Sequence, residues 1–178
     1  MSSESPLIQI VDEHDRPLRG GTMDEAQLQG LWHRMVGVMV YSSQQGFLLQ
    51  RVPQNPYYDG GKWNLTATGH VDVGETYDEA AARELAEEMG ITGLRPVKVD
   101  YYQTELIISG RTYRRFNQIF IGEINECVAI YPAPDEVAET RWCTAAELAQ
   151  LIGDPTSQVN DMLHRFITKI SHDKRYSG

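Results

Sequence analysis

Residues 69–91 read GHVDVGETYDEAAARELAEEMGI, and the fold assignment turns on how this stretch is organised. Thr76-Tyr-Asp-Glu79 has the form of a capping box, and Gly90 stands where a left-handed C-terminal cap is wanted. The spacing therefore predicts a helix from Thr76 through Met89. On that helix Glu84, Glu87 and Glu88 occupy i, i+3 and i+4, within about 100° of arc. Ala82, Leu85, Ala86 and Met89 are expected on the opposite, buried side, leaving a negative face that no nearby lysine neutralises. Like charges at this spacing cost stability. Taken alone, such a run also reads as a solvated acidic face. Three carboxylates converging as hard oxygen donors suit Mg²⁺ or Mn²⁺, which would offset the repulsion and bridge to phosphate oxygens.

Upstream, Leu7–Val11 reads as a short strand, and Thr22-Met-Asp-Glu25 opens a short helix through about Gln29. Strand-like runs at Val36–Tyr41 and Phe47–Val52 flank Ser42–Gly46. Asn55–Lys62 follows as a loop, and Thr66–His70 as a strand leading into the quoted segment. Downstream, Val97–Ile108 and Arg111–Ile121 are rich in β-branched and aromatic residues around the hairpin signal Ser109-Gly110. Glu139–Cys143 adds a strand, and Thr144-Ala-Ala-Glu147 opens another helix. Asp154-Pro155 is expected to start the last helix, with Val159, Met162, Leu163, Phe166, Ile167 and Ile170 on one apolar stripe that reads as core.

No linker or repeat divides the 178 residues, so one domain is expected. Hydrophobic residues make up 41% and charged residues 23%, a globular composition. The longest apolar run is Met35–Tyr41, far short of the roughly 20 residues a spanning helix needs. Met1–Arg16 lacks the pattern of a secretory signal, so a cytoplasmic protein without a membrane partner is expected. The 25 acidic against 16 basic residues, net −9, disfavour a nucleic-acid polymer as partner. Cys127 and Cys143 are too few for a disulfide framework and read as reduced thiols.

Gly69, Glu75, Arg83, Glu84, Glu87, Glu88 and Gly90, followed by Ile91, fit the pattern G-x5-E-x7-R-E-U-x-E-E-x-G-U at every defined position. A chance match of its polar and glycine positions has a probability on the order of 10⁻⁶ in this composition. The chain resembles a Nudix hydrolase. Gly61-Lys-Trp63-Asn-Leu and Asp135-Glu-Val-Ala-Glu-Thr-Arg-Trp142, then Glu147-Leu148, extend the resemblance over roughly Leu31 to Arg165. Where many members have Pro-Gly-Gly before the box, this chain has Ala67-Thr68-Gly69.

The resemblance implies an α/β (α+β) fold, a mixed β-sheet sandwiched between helices. It also implies a division into an extension (1–30) packed on the domain, a Nudix domain (31–170) and a tail (171–178). Glu84, Glu87 and Glu88, with the Gly69 carbonyl, would bind the metal, and Arg83 and Glu75 would brace the loop and helix. Glu88 or Glu84 could orient water, or Glu136 could reach in from the downstream loop. The implied reaction is water attack on phosphorus of a small-molecule diphosphate, and a homodimer is compatible with the resemblance.

Val11-Asp-Glu, Leu31-Trp-His33-Arg34, Leu48-Leu-Gln-Arg51 and Gly69-His70 also resemble isopentenyl-diphosphate isomerase. That resemblance puts His33 and His70 where the isomerase has two metal-ligand histidines. Its catalytic cysteine, two residues before His70, is Thr68 here, and Arg111–Ile121 contains no glutamate. A threonine cannot replace a thiol in that proton transfer. The reading is an isomerase-like subgroup of hydrolases, with the isomerase and a non-catalytic nucleotide sensor as alternatives. On the Arg111–Ile121 strand, alternation sends Arg114 to the face opposite Arg115. Trp63 is expected to pack in the core.

Overall fold

The computed structural model describes residues 6–54, 60–108, 110–124, 128–154 and 156–171. Cys127, Ser109, Pro155, most of the Asn55–Lys62 loop and all but the first residue of the tail lie outside them. The strands are β1 (Ile8–Val11), β2 (Pro17–Gly21), β3 (Trp32–Ser42), β4 (Gly46–Arg51), β5 (Trp63–Asn64), β6 (Ala67–His70), β7 (Val97–Ile108), β8 (Arg111–Glu123) and β9 (Glu139–Cys143). The helices are α1 (Met23–Gln29), α2 (Tyr77–Met89), α3 (Ala145–Gly153) and α4 (Asp161–Ile170).

β3 is the hub of one mixed sheet. Along one edge it pairs parallel with β8, from Trp32↔Arg114 to Tyr41↔Glu123. Along the other it meets β1 at His33, β6 over Met35–Val38 and β4 over Val40–Ser42, all antiparallel. Alternation then builds two cores. Val36, Val38 and Val40 face α2 with Ala80, Ala81, Leu85, Met89 and Phe120. Met35 and Met39 face α4 with Ile119, Ile121, Leu163 and Phe166. Gly37 sits beneath Met162 and Leu65, where any Cβ would collide. The sheet thus lies between helices, as the resemblance implied.

The last helix starts later than the Asp154-Pro155 signal. Asn160 caps α4, its side chain accepting from Leu163 N at 2.9 Å. Asp154 instead ends α3 and accepts from Thr156 N at 2.8 Å in a local turn. β2 and β5 were not read from the sequence, because neither is apolar enough over enough residues to show a period.

The N-terminal segment joins the sheet through β1, and backbone bonds from Gln9 N to the Val71 carbonyl and from Val73 N to the Leu7 carbonyl add to that tie. Asp15 supplies a further anchor. Asp15 is the described non-glycine residue with positive φ (62°). Its Oδ1 accepts from Arg34 Nε at 2.6 Å, its carbonyl from Arg34 Nη2 at 2.6 Å, and its Oδ2 from Tyr77 and Tyr101 hydroxyls at 3.0 and 2.9 Å. Among the described residues no helix is long and apolar enough to cross a membrane.

Candidate active site

The turn from β6 into α2 sets the site. Thr76 and Glu79 close the capping box in both directions, and Gly90 (φ 66°) ends α2 in the left-handed conformation. The helix is joined to β6 by Arg83, which donates to the His70 carbonyl, and by Glu88, which accepts from Thr68 N.

The face that α2 buries is only partly the one expected: Leu85 and Met89 are buried as the spacing required. Ala82 is exposed and Ala86 only half-buried, whereas Glu84 and Glu88 are each 7% exposed and share the sheet-facing side with Ala81 and Leu85. Glu87 stays exposed at the rim. The acidic and apolar stripes overlap because Gly69 leaves room: a Cβ there would land on the Glu84 carboxylate. Gly69 faces α2 because it pairs with Val36.

Nor is the acidic cluster without a cation. Arg83 Nη1 donates to Glu84 Oε1 at 2.7 Å and Glu87 Oε2 at 3.0 Å. Its Nε and Nη2 each reach Glu75 at 3.0 Å, and Nη2 also donates to the His70 carbonyl at 2.8 Å. One guanidinium therefore joins the loop, the end of β6 and two of the three carboxylates. Glu75 in turn accepts from Asp72 N at 3.0 Å, closing the loop.

Glu88 lies deeper and outside the reach of Arg83's bonds. Its Oε2 accepts from Gln50 Nε2 at 2.7 Å and from Thr68 N at 3.0 Å. Burial drives the Glu88 carboxyl well above the usual range, the Glu84 charge adds to it, and the Thr68 and Gln50 bonds oppose it. Burial likewise pushes Glu84 up to about 7 against the opposing charge of Arg83. Glu136, exposed in the 134–136 turn, adds repulsion to both. That turn is held near α2 by Tyr131 N and Ala133 N, which donate to the Met89 and Glu88 carbonyls at 2.8 Å each.

Among the described residues no three His, Cys, Asp or Glu side chains form a ready-assembled metal cage. Glu84 and Glu87 turn to Arg83, and Glu88 to Gln50. The donor set nevertheless fits a hard divalent cation, because clustered, desolvated carboxylates resist ionisation until positive charge is added.

The other predicted residues divide cleanly. Arg111 pairs with Asp24 at 2.7 Å, and Arg114 with Glu105 at 3.1 Å, both on the outside. Arg115 points inward, as alternation required. Trp63 packs against the α4-side core with Arg51 over its ring at 5.9 Å. His33 and His70 come together across β3 and β6, ring centroids 5.3 Å apart, on the face away from the glutamates. Gln50, which donates to Glu88, lies in the Leu48–Arg51 stretch but is not among the expected site residues.

A model of the NUDIX domain matches residues 31–164. The chain belongs to the Nudix family. An isopentenyl-diphosphate Delta-isomerase of Streptomyces griseus is 34% identical to this Nudix protein over 154 residues, covering 84% of this chain and 76% of that one. An isopentenyl-diphosphate Delta-isomerase 2 of Photorhabdus laumondii is 28% identical over 167 residues, covering 93% of each. The solved structure of DR0079 from Deinococcus radiodurans superposes with a TM-score of 0.71 at 17% identity, covering 91% of this chain and 97% of that one, and shares the fold. The Nudix box of this chain is thus the β6–α2 unit whose carboxylates Arg83 gathers.

Proposed function

We propose that this Nudix protein is a metal-dependent hydrolase that cleaves a diphosphate linkage in a nucleoside diphosphate linked to another group, or in a related organic diphosphate. The observation that carries this reading is the buried pair Glu84 and Glu88, held with Glu87 around Gly69 and Arg83. Glu84, Glu87, Glu88 and the Gly69 carbonyl would hold Mg²⁺ or Mn²⁺, whose charge stabilises the diphosphate oxygens as the phosphorus is attacked. Glu88 takes its protein hydrogen bonds on Oε2, so Oε1 is the atom to accept a water proton. Arg83 and Glu75 position the helix, and Glu136 bears on the site through its charge. Residues 1–30 would form an extension docked through β1 and Asp15, residues 31–170 the catalytic domain, and residues 171–178 a tail.

Hydrolysis in ¹⁸O water with Mg²⁺, over a panel of organic diphosphates, tests this. The label should enter a phosphate product. Label only in the phosphate-free alcohol, or full activity surviving Glu87→Gln with Glu88→Gln, would overturn the mechanism.

A second reading, isopentenyl-diphosphate isomerisation, is favoured by the names of the relatives and by the juxtaposed His33 and His70 rings. Against it, Thr68 Oγ1 accepts from Asn64 Nδ2 at 3.1 Å and offers no thiol. Deuterium entering isopentenyl carbons in heavy water, above the enzyme-free control and dependent on Glu88, would establish it instead.

A further inference from the structure

The sheet face away from α2 carries a polar cluster that the proposed hydrolysis leaves unused. Strand register brings it together: His33 stands beside Arg115, Met35 beside both His70 and Asn117, and Asn117 beside Tyr102. His33 is fully buried and Arg115 is 7% exposed. Nε of Arg115, Nε2 of His33, Nε2 of His70 and the Tyr102 hydroxyl are all buried without a hydrogen-bond partner among the described residues. Asn117, by contrast, is spent on Thr104 Oγ1 at 2.9 Å and the Tyr102 carbonyl at 3.3 Å.

Folded proteins rarely leave several buried polar groups unsatisfied at one place, and a buried cation without a counter-charge is costlier still. Among the described residues no carboxylate forms an ion pair with Arg115, whose guanidinium lies over the Tyr113 ring at 4.8 Å. His33 stands beside Arg115 in the register of β3 and β8, and its ring lies 5.3 Å from that of His70. The cluster therefore repels cations and wants an anion.

The histidine adds a second requirement. His33 Nδ1 lies 3.1 Å from the Leu31 carbonyl oxygen, and a carbonyl only accepts, so the ring hydrogen sits on Nδ1. Nε2 then offers a lone pair, since a fully buried ring beside a guanidinium stays neutral. A complementary ligand must accept from Arg115 and donate to His33. Sulfate and simple carboxylates can only accept at neutral pH.

We propose that Arg115, His33, His70 and Tyr102 form a binding pocket for a small-molecule oxyanion that carries its own hydroxyl hydrogen: a hydrogen-phosphate group or an α-hydroxycarboxylate. The site is independent of the hydrolase reading, and its test needs neither metal nor turnover.

The full chain is titrated calorimetrically in EDTA with inorganic phosphate, sulfate, glycolate and acetate. Phosphate or glycolate should saturate, about tenfold or more tighter than sulfate or acetate respectively, because each control leaves the His33 lone pair unmet. Which of the two pairs shows the gap tells a phosphate group from a hydroxycarboxylate. Arg115→Gln should abolish the binding, while Glu87→Gln, on the opposite face, should keep it. Should Arg115→Gln not fold, the Arg115 Nε–H resonance of the unaltered protein is followed instead, and it should shift saturably with the tighter probe. No saturable binding by any of the four, equal affinity for probe and control, or an unmoved Arg115 signal at saturation would overturn the proposal.

Discussion

Arg83 and Arg115 are both withdrawn from solvent, on opposite faces of one sheet, yet their surroundings are inverse. Arg83 meets Glu75, Glu84, Glu87 and the His70 carbonyl with its donors, and carboxylate still outnumbers cation around it. Arg115 meets an aromatic ring, while its Nε and the Nε2 atoms of His33 and His70 have no hydrogen-bond partner among the described residues. One arginine is a brace whose surplus is negative; the other is a positive surplus in itself. The difference shows that an arginine drawn in from solvent has no fixed role: the count of acceptors around it decides whether it organises the protein or awaits a ligand.

Activity gives the largest separation between the faces. Single changes Glu84→Gln, Glu87→Gln and Glu88→Gln should each lower kcat by about 10²-fold or more, and any double change should fall well short of the product, since the three act as one unit. Additive losses in steady-state kinetics would break the view of the α2 side as a single cluster.

Stability should separate the arginines in sign. Arg83→Met removes the brace and leaves buried carboxylates facing one another, costing about 3 kcal/mol or more in metal-free chemical denaturation. Arg115→Met replaces a cation that lacks an anion with an apolar side chain, and should be neutral or stabilising. Equal destabilisation by both would erase the contrast. Gly69→Ala tests the close approach itself: a methyl group on the Glu84 carboxylate should cost about 1–3 kcal/mol and weaken metal binding measured by calorimetry.

A smaller effect is expected from pH. Burial raises the Glu84 carboxyl from 4.5 to about 7, so the folded state holds a proton that the unfolded chain has lost between those values. In EDTA, Tm should fall as pH rises from about 4.5 to about 7. Mg²⁺ should restore part of that loss at neutral pH, because it binds the ionised, folded form. A Tm rising across that window would mean that the carboxylates are compensated already.

Much of this was legible in the sequence. Thr76, Glu79 and Gly90 announce both ends of α2 because caps are local hydrogen bonds, and the spacing of Glu84, Glu87 and Glu88 places them on one arc. Their burial was not legible. A helical pattern counts glutamate as solvent-facing, and only the missing side chain of Gly69, on a strand that meets α2 in space, makes room beneath. The start of α4 misled for a related reason: Asp154-Pro155 has the chemistry of a helix start, but Asp154 spends its carboxylate on Thr156, and Asn160 does the capping. The Arg34–Asp15–Tyr101 cluster joins residues far apart in the chain, which no local pattern reports.

Gly69 and His70 are neighbours on β6, and the pleat sends one toward each face. Any insertion or deletion between Ala67 and His70 would exchange them, driving an imidazole into the Glu84 carboxylate and withdrawing a ring nitrogen from Arg115. The two polar clusters therefore share a reading frame. Substitutions can retune either one alone, but a change in strand length disables both at once. Among variants of this chain, length should be fixed across Ala67–His70 even where residue identity drifts, while the turn at Gly110 is free to grow.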